Sequence, residues 1–298
     1  MPLLAFWFHL HSARWQADVR HIRWHSIGGR HAVTRGRTAR VGKLKTLMKG
    51  ALAIFLLGAL QANALADSGP ISTDRPGFST GTYTVKPGRM NVEFGYQYAL
   101  NTHGVDQSTQ TIPQLDLRLG FSEKSELDLL WVGWNINDTN GQSSDSSVAD
   151  VSIGGKYRLR RGDEYNLTLL GLLSLPVGSS PSSSDNIDPL LGLLWDYSLA
   201  DQISLFGVVQ SSSFKFEGDR AYDAQLAIGA SFTLSTKLST FIEIYGIWPS
   251  EAQIDDEVVI DAGFTYLLGN DLQVDINMGL GLNNDSDSFA GLGIAARY

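Results

Sequence analysis

Most of this chain repeats one pattern, in which apolar residues alternate with polar or small ones over about ten positions before a turn follows. The clearest case lies near the end of the chain, where five apolar residues alternate with four polar or small ones: Leu272, Val274, Ile276, Met278, Leu280 and Gln273, Asp275, Asn277, Gly279. Successive side chains of a β-strand point to opposite faces, so this period of two predicts strands with one apolar and one polar face. The pattern therefore predicts an all-β protein.

The sequence contains about twelve segments of this kind. Each has close to the roughly 9–11 residues that a tilted strand needs to cross a bilayer. They lie at 89–100, 110–121, 125–136, 148–159, 164–175, 189–199, 202–212, 221–234, 237–248, 257–268, 271–282 and 288–298. Four of them alternate poorly, so their faces stay unassigned: 164–175, 189–199, 202–212 and 237–248.

The connections between the segments alternate between long and short. Long connections, rich in Ser, Asn, Asp and Gly, are predicted at 101–109, 137–147, 178–188, 213–220 and 249–256, with one of middle length at 283–287. Short ones are predicted at 122–124, 160–163, 200–201, 235–236 and 269–270. Long outer loops, short periplasmic turns and an even strand number characterise an up-and-down antiparallel transmembrane β-barrel, here of about 12 strands.

A soluble β-sandwich would also show a period of two. The uniform strand lengths, the alternating connections and the many charges and glycines on the polar face favour a barrel with a wet lumen. Aromatic residues also lie toward strand ends, as in the girdles at membrane interfaces. They include Trp131, Trp134, Trp195 and Trp248.

The first 66 residues differ from the rest. Lys43, Lys45 and Lys49 precede an apolar run at 51–60, and small residues at 64–66 follow, which is the order of a cleaved secretory signal. We therefore divide the chain into an upstream extension or long n-region, a signal peptide, an N-terminal segment and a barrel, at 1–47, 48–66, 67–88 and 89–298. The alternative for the apolar run is a buried amphipathic helix.

Composition excludes several kinds of site. The chain has no Cys, so disulfides, thiol nucleophiles and Cys-based zinc sites are excluded. Residues 1–66 are basic, with Asp18 as their single acid, whereas the remainder is strongly acidic and argues against nucleic-acid binding. We expect no metal and no cofactor. The acidic loop clusters at 255–257 and 285–287 are interpreted as solvated, with the binding of divalent cations that bridge lipopolysaccharide as the alternative.

A barrel of twelve strands should have a narrow, partly obstructed lumen. The candidate lumen-lining residues on the substrate path are Arg75, Glu93, Asp116, Arg118, Asp128, Lys156, Arg158, Glu243, Asp261 and Asp275, with Glu126 and Asp150 on the same face. Pairing Phe121 with Ser125 sets Arg118 opposite Asp128 inside the barrel, where opposite charges stabilise by roughly 0.2–1 kcal/mol. For any one residue, the alternative is a structural salt-bridge network.

The segment at 67–88 has turn-forming residues and no strand pattern. It either folds into the lumen as a plug, with Arg75 on a wall carboxylate, or hangs in the periplasm. The sequence alone does not decide between these two positions.

Several short motifs in this order resemble the outer-membrane family described as "putative MetA-pathway of phenol degradation", a group of transporter-like barrels. The resemblance covers about 71–298. It is carried by Ser72-Thr73-Asp74-Arg75-Pro76, Lys86-Pro87-Gly88-Arg89, Gly154-Gly155-Lys156-Tyr157-Arg158-Leu159, Leu175-Pro176-Val177-Gly178 and Asp261-Ala262-Gly263-Phe264-Thr265-Tyr266. It implies an outer-membrane channel or transporter for small compounds, aromatic or otherwise hydrophobic.

The resemblance also implies partners. The last strand, ending on Tyr298, looks like the signal that the barrel-assembly machinery reads, and outer-membrane lipid would surround the barrel. The alternation of short turns with long outer loops, together with the even strand number, predicts that both termini face the periplasm of a Gram-negative bacterium.

Two other functions stay open. A lipid-modifying enzyme would need a nucleophile with a nearby base, and the only His after the predicted signal is His103, in a predicted outer loop. A structural or adhesive barrel would act through its loops, which are short and poor in aromatic residues. We therefore expect a channel and no enzyme.

Overall fold

The computed structural model describes residues 69–298 except 102–106, 140–141 and 284–285, and only the backbone of 142–145. The predicted upstream extension, the signal peptide and His103 lie outside the described residues. Among the residues described, no helix has both the length and the apolar character needed to cross a membrane.

The described residues form fourteen β-strands in one antiparallel sheet. They are β1 (Met90–Asn101), β2 (Gln107–Ser122), β3 (Ser125–Trp131), β4 (Trp134–Thr139), β5 (Gln142–Val148), β6 (Val151–Arg160), β7 (Tyr165–Leu175), β8 (Asp188–Ala200), β9 (Ile203–Phe216), β10 (Asp219–Thr233), β11 (Leu238–Pro249), β12 (Glu257–Gly269), β13 (Leu272–Gly281) and β14 (Ser288–Arg297).

The sheet closes on itself as a barrel in which the chain crosses the wall 12 times, which confirms the predicted fold. We call each crossing a stave. β3 and β4 are two halves of one stave and β5 and β6 of the next, because β2 pairs first with β3 and then with β4. β1 pairs with β14 to close the ring. The backbone N–H of Tyr298 donates to the Met90 carbonyl oxygen at 2.8 Å, so the last residue secures this seam.

The outer surface of the barrel is an apolar belt. The strands put large hydrophobic side chains outward at every second position, as the period of two predicts, for example Phe94, Leu191, Ile228, Ile244, Ile276 and Leu292. Trp134 and Trp248 are also exposed on this surface, Trp134 at the start of β4 and Trp248 toward the long-loop end of β11. An apolar exterior on a closed ring of strands is the arrangement that a bilayer stabilises.

Some predicted connections are wrong in length. The predicted long loop at 213–220 is a tight hairpin, because β9 and β10 continue until only Glu217 and Gly218 remain between them. Both of these residues have positive φ, 47° and 102°, which is the backbone of a two-residue hairpin turn. The predicted loop at 137–147 is likewise shortened, since β4 runs to Thr139 and β5 begins at Gln142.

Arg118 lies directly opposite Asp128 between β2 and β3, as predicted. The predicted pairing of Phe121 with Ser125 is wrong, because a β-bulge between Gly120 and Ser122 pairs Ser122 with Ser125.

The side chains of Arg118 and Asp128 are both buried. The expected ion pair is a different matter, because the guanidinium of Arg118 forms its described ion pairs with Asp74, Glu93 and Glu126.

Candidate functional site

The N-terminal segment lies inside the barrel. It enters beside the short turns, where the Ile71 N–H donates to the Asn270 carbonyl oxygen at 2.6 Å, and it leaves again at β1. Phe78, near the middle of the segment, is only 2% exposed. We call residues 71–85 the plug. Of the two positions that the sequence left open for this segment, the structure shows the lumenal one.

The plug has no regular secondary structure, so its buried backbone groups need partners from the wall. Three wall carboxylates supply them. Glu93 accepts hydrogen bonds from the N–H groups of Asp74 and Arg75, both at 3.1 Å. Glu243 accepts from the Phe78 N–H at 2.6 Å and the Ser79 N–H at 2.9 Å. Glu126 accepts from the N–H of Val85.

Two buried cations of the wall hold both limbs of the plug together. Arg118 donates to the carbonyl oxygen of Ser72 on the entering limb and to that of Tyr83 on the leaving limb, both at 3.0 Å. Lys156 donates to Asp74 at 2.6 Å and to the carbonyl oxygen of Gly81 at 3.1 Å. Each cation therefore fixes one limb of the plug relative to the other.

The same two cations neutralise a group of buried carboxylates. Arg118 lies 3.2 Å from Asp74, 3.1 Å from Glu93 and 3.0 Å from Glu126, and Lys156 lies 3.3 Å from Glu126. A carboxylate buried without such partners would carry a large desolvation cost. This network of ion pairs therefore has a structural role, because it joins the plug to the wall of the barrel.

The electrostatics of Asp74 show this balance. Burial opposes the ionisation of Asp74, but Arg118 and Lys156 outweigh it and hold the pKa of that carboxyl below its usual value. A carboxyl with a depressed pKa in the folded state stabilises that state above its ordinary pKa, and the contribution is lost as the pH falls through the depressed value. The plug keeps this anchor at neutral pH.

Arg75 is a buried cation that the plug itself carries. Its guanidinium forms an ion pair with Asp275 at 3.1 Å and donates to the side-chain oxygen of Gln114 at 2.8 Å. It lies against two glycines of neighbouring strands. A Cβ on Gly95 or Gly293 would come within 2.0 Å or 2.2 Å of a guanidinium nitrogen. These glycines thus make the space that Arg75 occupies.

We expect Gly95→Ala to dislodge Arg75, because the added methyl group and the guanidinium cannot share the space between the strands. The variant should conduct more often than the parent in planar bilayers, by roughly tenfold if one charged hydrogen bond of about 1.5 kcal/mol is lost. Gly171→Ala is the matched control, since its Cβ would meet only a Leu191 side-chain atom at an ordinary 3.6 Å. Equal conductance of the two variants would contradict this role of Gly95.

The remaining candidate residues also lie on the inner face. Asp116, Asp128 and Asp261 are buried, and each has one carboxyl oxygen that lacks a hydrogen-bond partner among the described residues. Arg158 donates to the Thr84 hydroxyl of the plug at 2.8 Å. Of the ten candidate residues, the structure therefore places all but these three acids in or around the plug. Each of the three acids keeps one carboxyl oxygen without a hydrogen-bond partner among the described residues.

Sequence reasoning missed an apolar part of the lumen. On β7 to β12 the inner face carries a cluster of buried apolar side chains, which we call the apolar wall: Leu170, Leu172, Leu190, Leu194, Val208, Ala227, Tyr245, Ile247 and Val259. The ring of Phe78 stacks on that of Tyr245, with centroids 4.2 Å apart and planes at 13°. The plug therefore rests on this wall.

The sequence did hold a signal for the apolar wall. The four segments whose alternation is poor correspond to β7, β8, β9 and β11, which are strands of this wall. Such strands lose their alternation because they are apolar both toward lipid and toward the lumen.

Comparison with solved structures finds other membrane barrels at low similarity. A structure described as "KdgM porin" has 9% identity and a TM-score of 0.45, covering 69% of this chain and 98% of that one. A "NanC porin" structure has 10% identity and a TM-score of 0.46, covering 70% and 98%. An "anion-selective porin from Comamonas acidovorans" has 10% identity and a TM-score of 0.38, covering 70% and 98%. At these values, the similarity carries no inference about what this chain transports.

Comparison of the sequence with curated proteins finds no match. By contrast, residues 73–298 match the family described as "Putative MetA-pathway of phenol degradation", which the sequence motifs had predicted. The match spans all the strands and the plug from Thr73 onward. Together with the closed ring and its apolar belt, it shows that this outer-membrane β-barrel belongs to that family.

Proposed function

We propose that the protein is a channel for small apolar compounds, aromatic ones among them, and that the plug closes it between passages. In this proposal the short turns and both termini face the periplasm. The observation that carries it is the apolar wall, because a passage for polar solutes would gain nothing from a lumen lined by Leu, Val and Ile.

The way the plug is held supports a closure that can open. Its contacts with the wall are mainly hydrogen bonds and ion pairs, which water replaces when the plug moves away. The ring of Phe78 is the main apolar contact, and it covers Tyr245 of the apolar wall. A compound that stacks on Tyr245 therefore competes with the plug for the same surface.

The proposal is tested by the entry of a hydrophobic dye into intact cells. N-phenylnaphthylamine fluoresces on reaching a bilayer and is largely excluded by the lipopolysaccharide leaflet. Cells that produce the full chain should take it up faster than cells with an empty vector. Fast swelling of proteoliposomes in arabinose without faster dye entry would point to a hydrophilic pore, and failure in both assays would exclude a channel.

An isosteric exchange tests the apolar wall itself. Val208 and Thr168 are both buried on the inner face, at 1% and 0% exposure. We expect Val208→Thr to slow dye entry by roughly tenfold, because a buried hydroxyl without a partner costs about 1–3 kcal/mol on the path of an apolar solute.

The matched control is Ser174→Thr, which keeps a hydroxyl on the inner face near the long-loop end of β7 and should leave the rate of dye entry unchanged. Heat-modifiable migration in gels verifies that each variant folds. Unchanged dye entry in folded Val208→Thr would contradict the idea that the apolar wall forms the path.

A further inference from the structure

Two buried carboxylates face each other on the inner wall of the barrel. Glu243 of β11 pairs directly with Asp261 of β12, and the two residues are only 1% and 2% exposed. Like charges directly opposite each other across an antiparallel pair destabilise it. The buried cations Arg75, Arg118 and Lys156 form their described ion pairs with other acids. Among the residues that the structure describes, no cation forms an ion pair with Glu243 or Asp261.

The two carboxylates differ in their hydrogen bonds. Glu243 accepts from the backbone N–H groups of Phe78 and Ser79 in the plug. Asp261, in contrast, has a buried Oδ1 atom with no hydrogen-bond partner among the described residues. Such an oxygen has lost water without gaining a donor. A solute that brings a donor to Asp261 therefore gains a hydrogen bond without breaking an existing one.

Aromatic rings lie beside these carboxylates. Side chains two positions apart on a strand share a face, so Phe241 and Tyr245 flank Glu243 on the inner face of β11. Both rings are buried, and Phe206 of β9 meets Phe241 edge to face, with ring centroids 6.4 Å apart. Tyr245 itself belongs to the apolar wall. The pair of acids is thus set among aromatic and aliphatic side chains.

Phe78 of the plug shows which molecular shape fits this place. Its backbone nitrogen donates to Glu243 at 2.6 Å, and its ring stacks on Tyr245, with centroids 4.2 Å apart. Two carbon atoms, Cα and Cβ, separate that nitrogen from the ring. A nitrogen donor two carbons from an aromatic ring is also the skeleton of an arylethylamine. Phe78 therefore spans the carboxylate and the ring of the wall in the way that such an amine would.

We propose that Glu243, Asp261 and Tyr245 form a binding site for arylalkyl amines, whose ring lies on Tyr245 and whose ammonium group lies between the two carboxylates. This inference rests on the proposed function and names the class of aromatic compound that the channel admits. A bound amine takes the place of Phe78, so the plug covers the site when no amine is present.

The ammonium group gives this site its selectivity. An ammonium group has three N–H donors, whereas the Phe78 nitrogen has one, so an amine reaches Glu243 and the unused Oδ1 of Asp261 together. Its positive charge also allows both carboxylates to stay ionised side by side. An aromatic acid of the same size is repelled by the two carboxylates, and a neutral aromatic alcohol gains no ion pair.

Equilibrium dialysis of the full chain in detergent tests the site, with phenethylamine as the probe. We expect this amine to bind at least roughly tenfold more tightly than phenethyl alcohol, because hydrogen bonds to charged groups are stronger than neutral ones. Hydrocinnamate should not bind, because its carboxylate meets two like charges. Ethylamine keeps the ammonium group but has no ring to stack on Tyr245, so it should bind much more weakly than phenethylamine.

Asp261→Asn removes the charge but keeps the shape of the side chain. We expect it to weaken phenethylamine binding by roughly tenfold to a hundredfold, because one partner of the ammonium group loses its charge. The matched control is Asp223→Asn. Asp223 is also a buried acid of the inner face, but it lies opposite Pro249 at the end of β11 and already accepts from Ser212. Its exchange should leave the affinity unchanged.

A second variant shows whether the plug covers the site. Phe78→Ala removes the ring that stacks on Tyr245 but changes no residue of a strand. Phenethylamine should bind this variant roughly tenfold more tightly than the parent, because it no longer displaces a stacked ring. Heat-modifiable migration in gels verifies that each variant is folded.

Each contrary result has its own meaning. Equal affinities for phenethylamine and phenethyl alcohol, or an unchanged affinity in folded Asp261→Asn, would overturn the amine site and leave the channel standing. The absence of phenethylamine binding in both the full chain and Phe78→Ala would do the same. No protein-dependent entry of N-phenylnaphthylamine in the parent chain would overturn the proposed function, and the passage of amines through the channel with it.

Discussion

Deleting residues 71–85 is expected to give a barrel that conducts continuously in planar bilayers, in contrast to brief, rare openings of the full chain. The deletion removes the plug but none of the strands, since β1 begins at Met90. The wall carboxylates and cations that held the plug then face water, which solvates them. Folding of the shortened barrel is checked by heat-modifiable migration, and a folded but silent barrel would contradict the role of the plug.

A point variant should also raise the open fraction of the channel, but by less than the deletion does. Arg75→Met removes the ion pair with Asp275 while leaving the rest of the plug in place. A hydrogen bond to a charged group contributes about 1.5–3 kcal/mol, so the open fraction should rise by roughly tenfold to a hundredfold. Arg297→Met is the control. Arg297 contacts the carbonyl oxygens of Gly69 and Pro70 outside the plug, and its loss should change the open fraction little.

The largest effect on stability is expected from Arg118→Met. This change leaves Asp74, Glu93 and Glu126 buried without the guanidinium that each now contacts. Removing one partner of a buried ionic network destabilises by about 3–5 kcal/mol. The free energy of unfolding, measured by urea titration in detergent, should fall by that amount.

Arg89→Met is the matched control for this experiment. Arg89 also forms an ion pair, with Asp271 at 3.4 Å, but the side chain of Asp271 is 52% exposed. Such a pair contributes about 0–1 kcal/mol, because water solvates the carboxylate that remains. Equal losses in the two variants would contradict the network. The effect of Arg118→Met should also shrink in the barrel that lacks residues 71–85, because water then reaches the carboxylates.

Much of the barrel could be predicted because its information is local. Period-two alternation sets which side chains face lipid, and pleat parity alone sets Arg118 opposite Asp128. Turn chemistry was a weaker guide. The turn-forming residues Gly218 and Asp219 suggest a loop at 213–220, whereas Phe214, Phe216 and Ala221 continue the buried face and extend the hairpin.

The plug and its partners depend on contacts between distant parts of the chain. Arg75 and Asp275 lie 200 positions apart in sequence, and no local pattern relates them. Likewise Arg118 was assigned to Asp128, because pairing within a hairpin is all that a strand register can reveal. The guanidinium instead contacts Glu93, Glu126 and the plug residue Asp74.

The sequence also does not predict that two of the staves are each divided into two strands. The sequence predicts one unbroken strand at 125–136 and another at 148–159, and the structure divides both of them. Gly133 lies at the first division and has a φ of 57°. A Cβ at this position would lie only 2.3 Å from the Ile112 carbonyl oxygen, so there is no space for a side chain. In the sequence, one glycine among many does not predict that a strand divides there, because the constraint on Gly133 comes from the neighbouring strand.

The plug is covalently joined to the strand that closes the barrel, since it runs into β1 through residues 86–89. It is therefore an intramolecular ligand of its own lumen, and a short tether of this kind gives an effective concentration of millimolar order. A solute that displaces the plug must compete with a ligand at this effective concentration, which does not depend on the amount of protein in the membrane. The same peptide added in trans to the shortened barrel would have to reach a similar concentration before it blocked the pore.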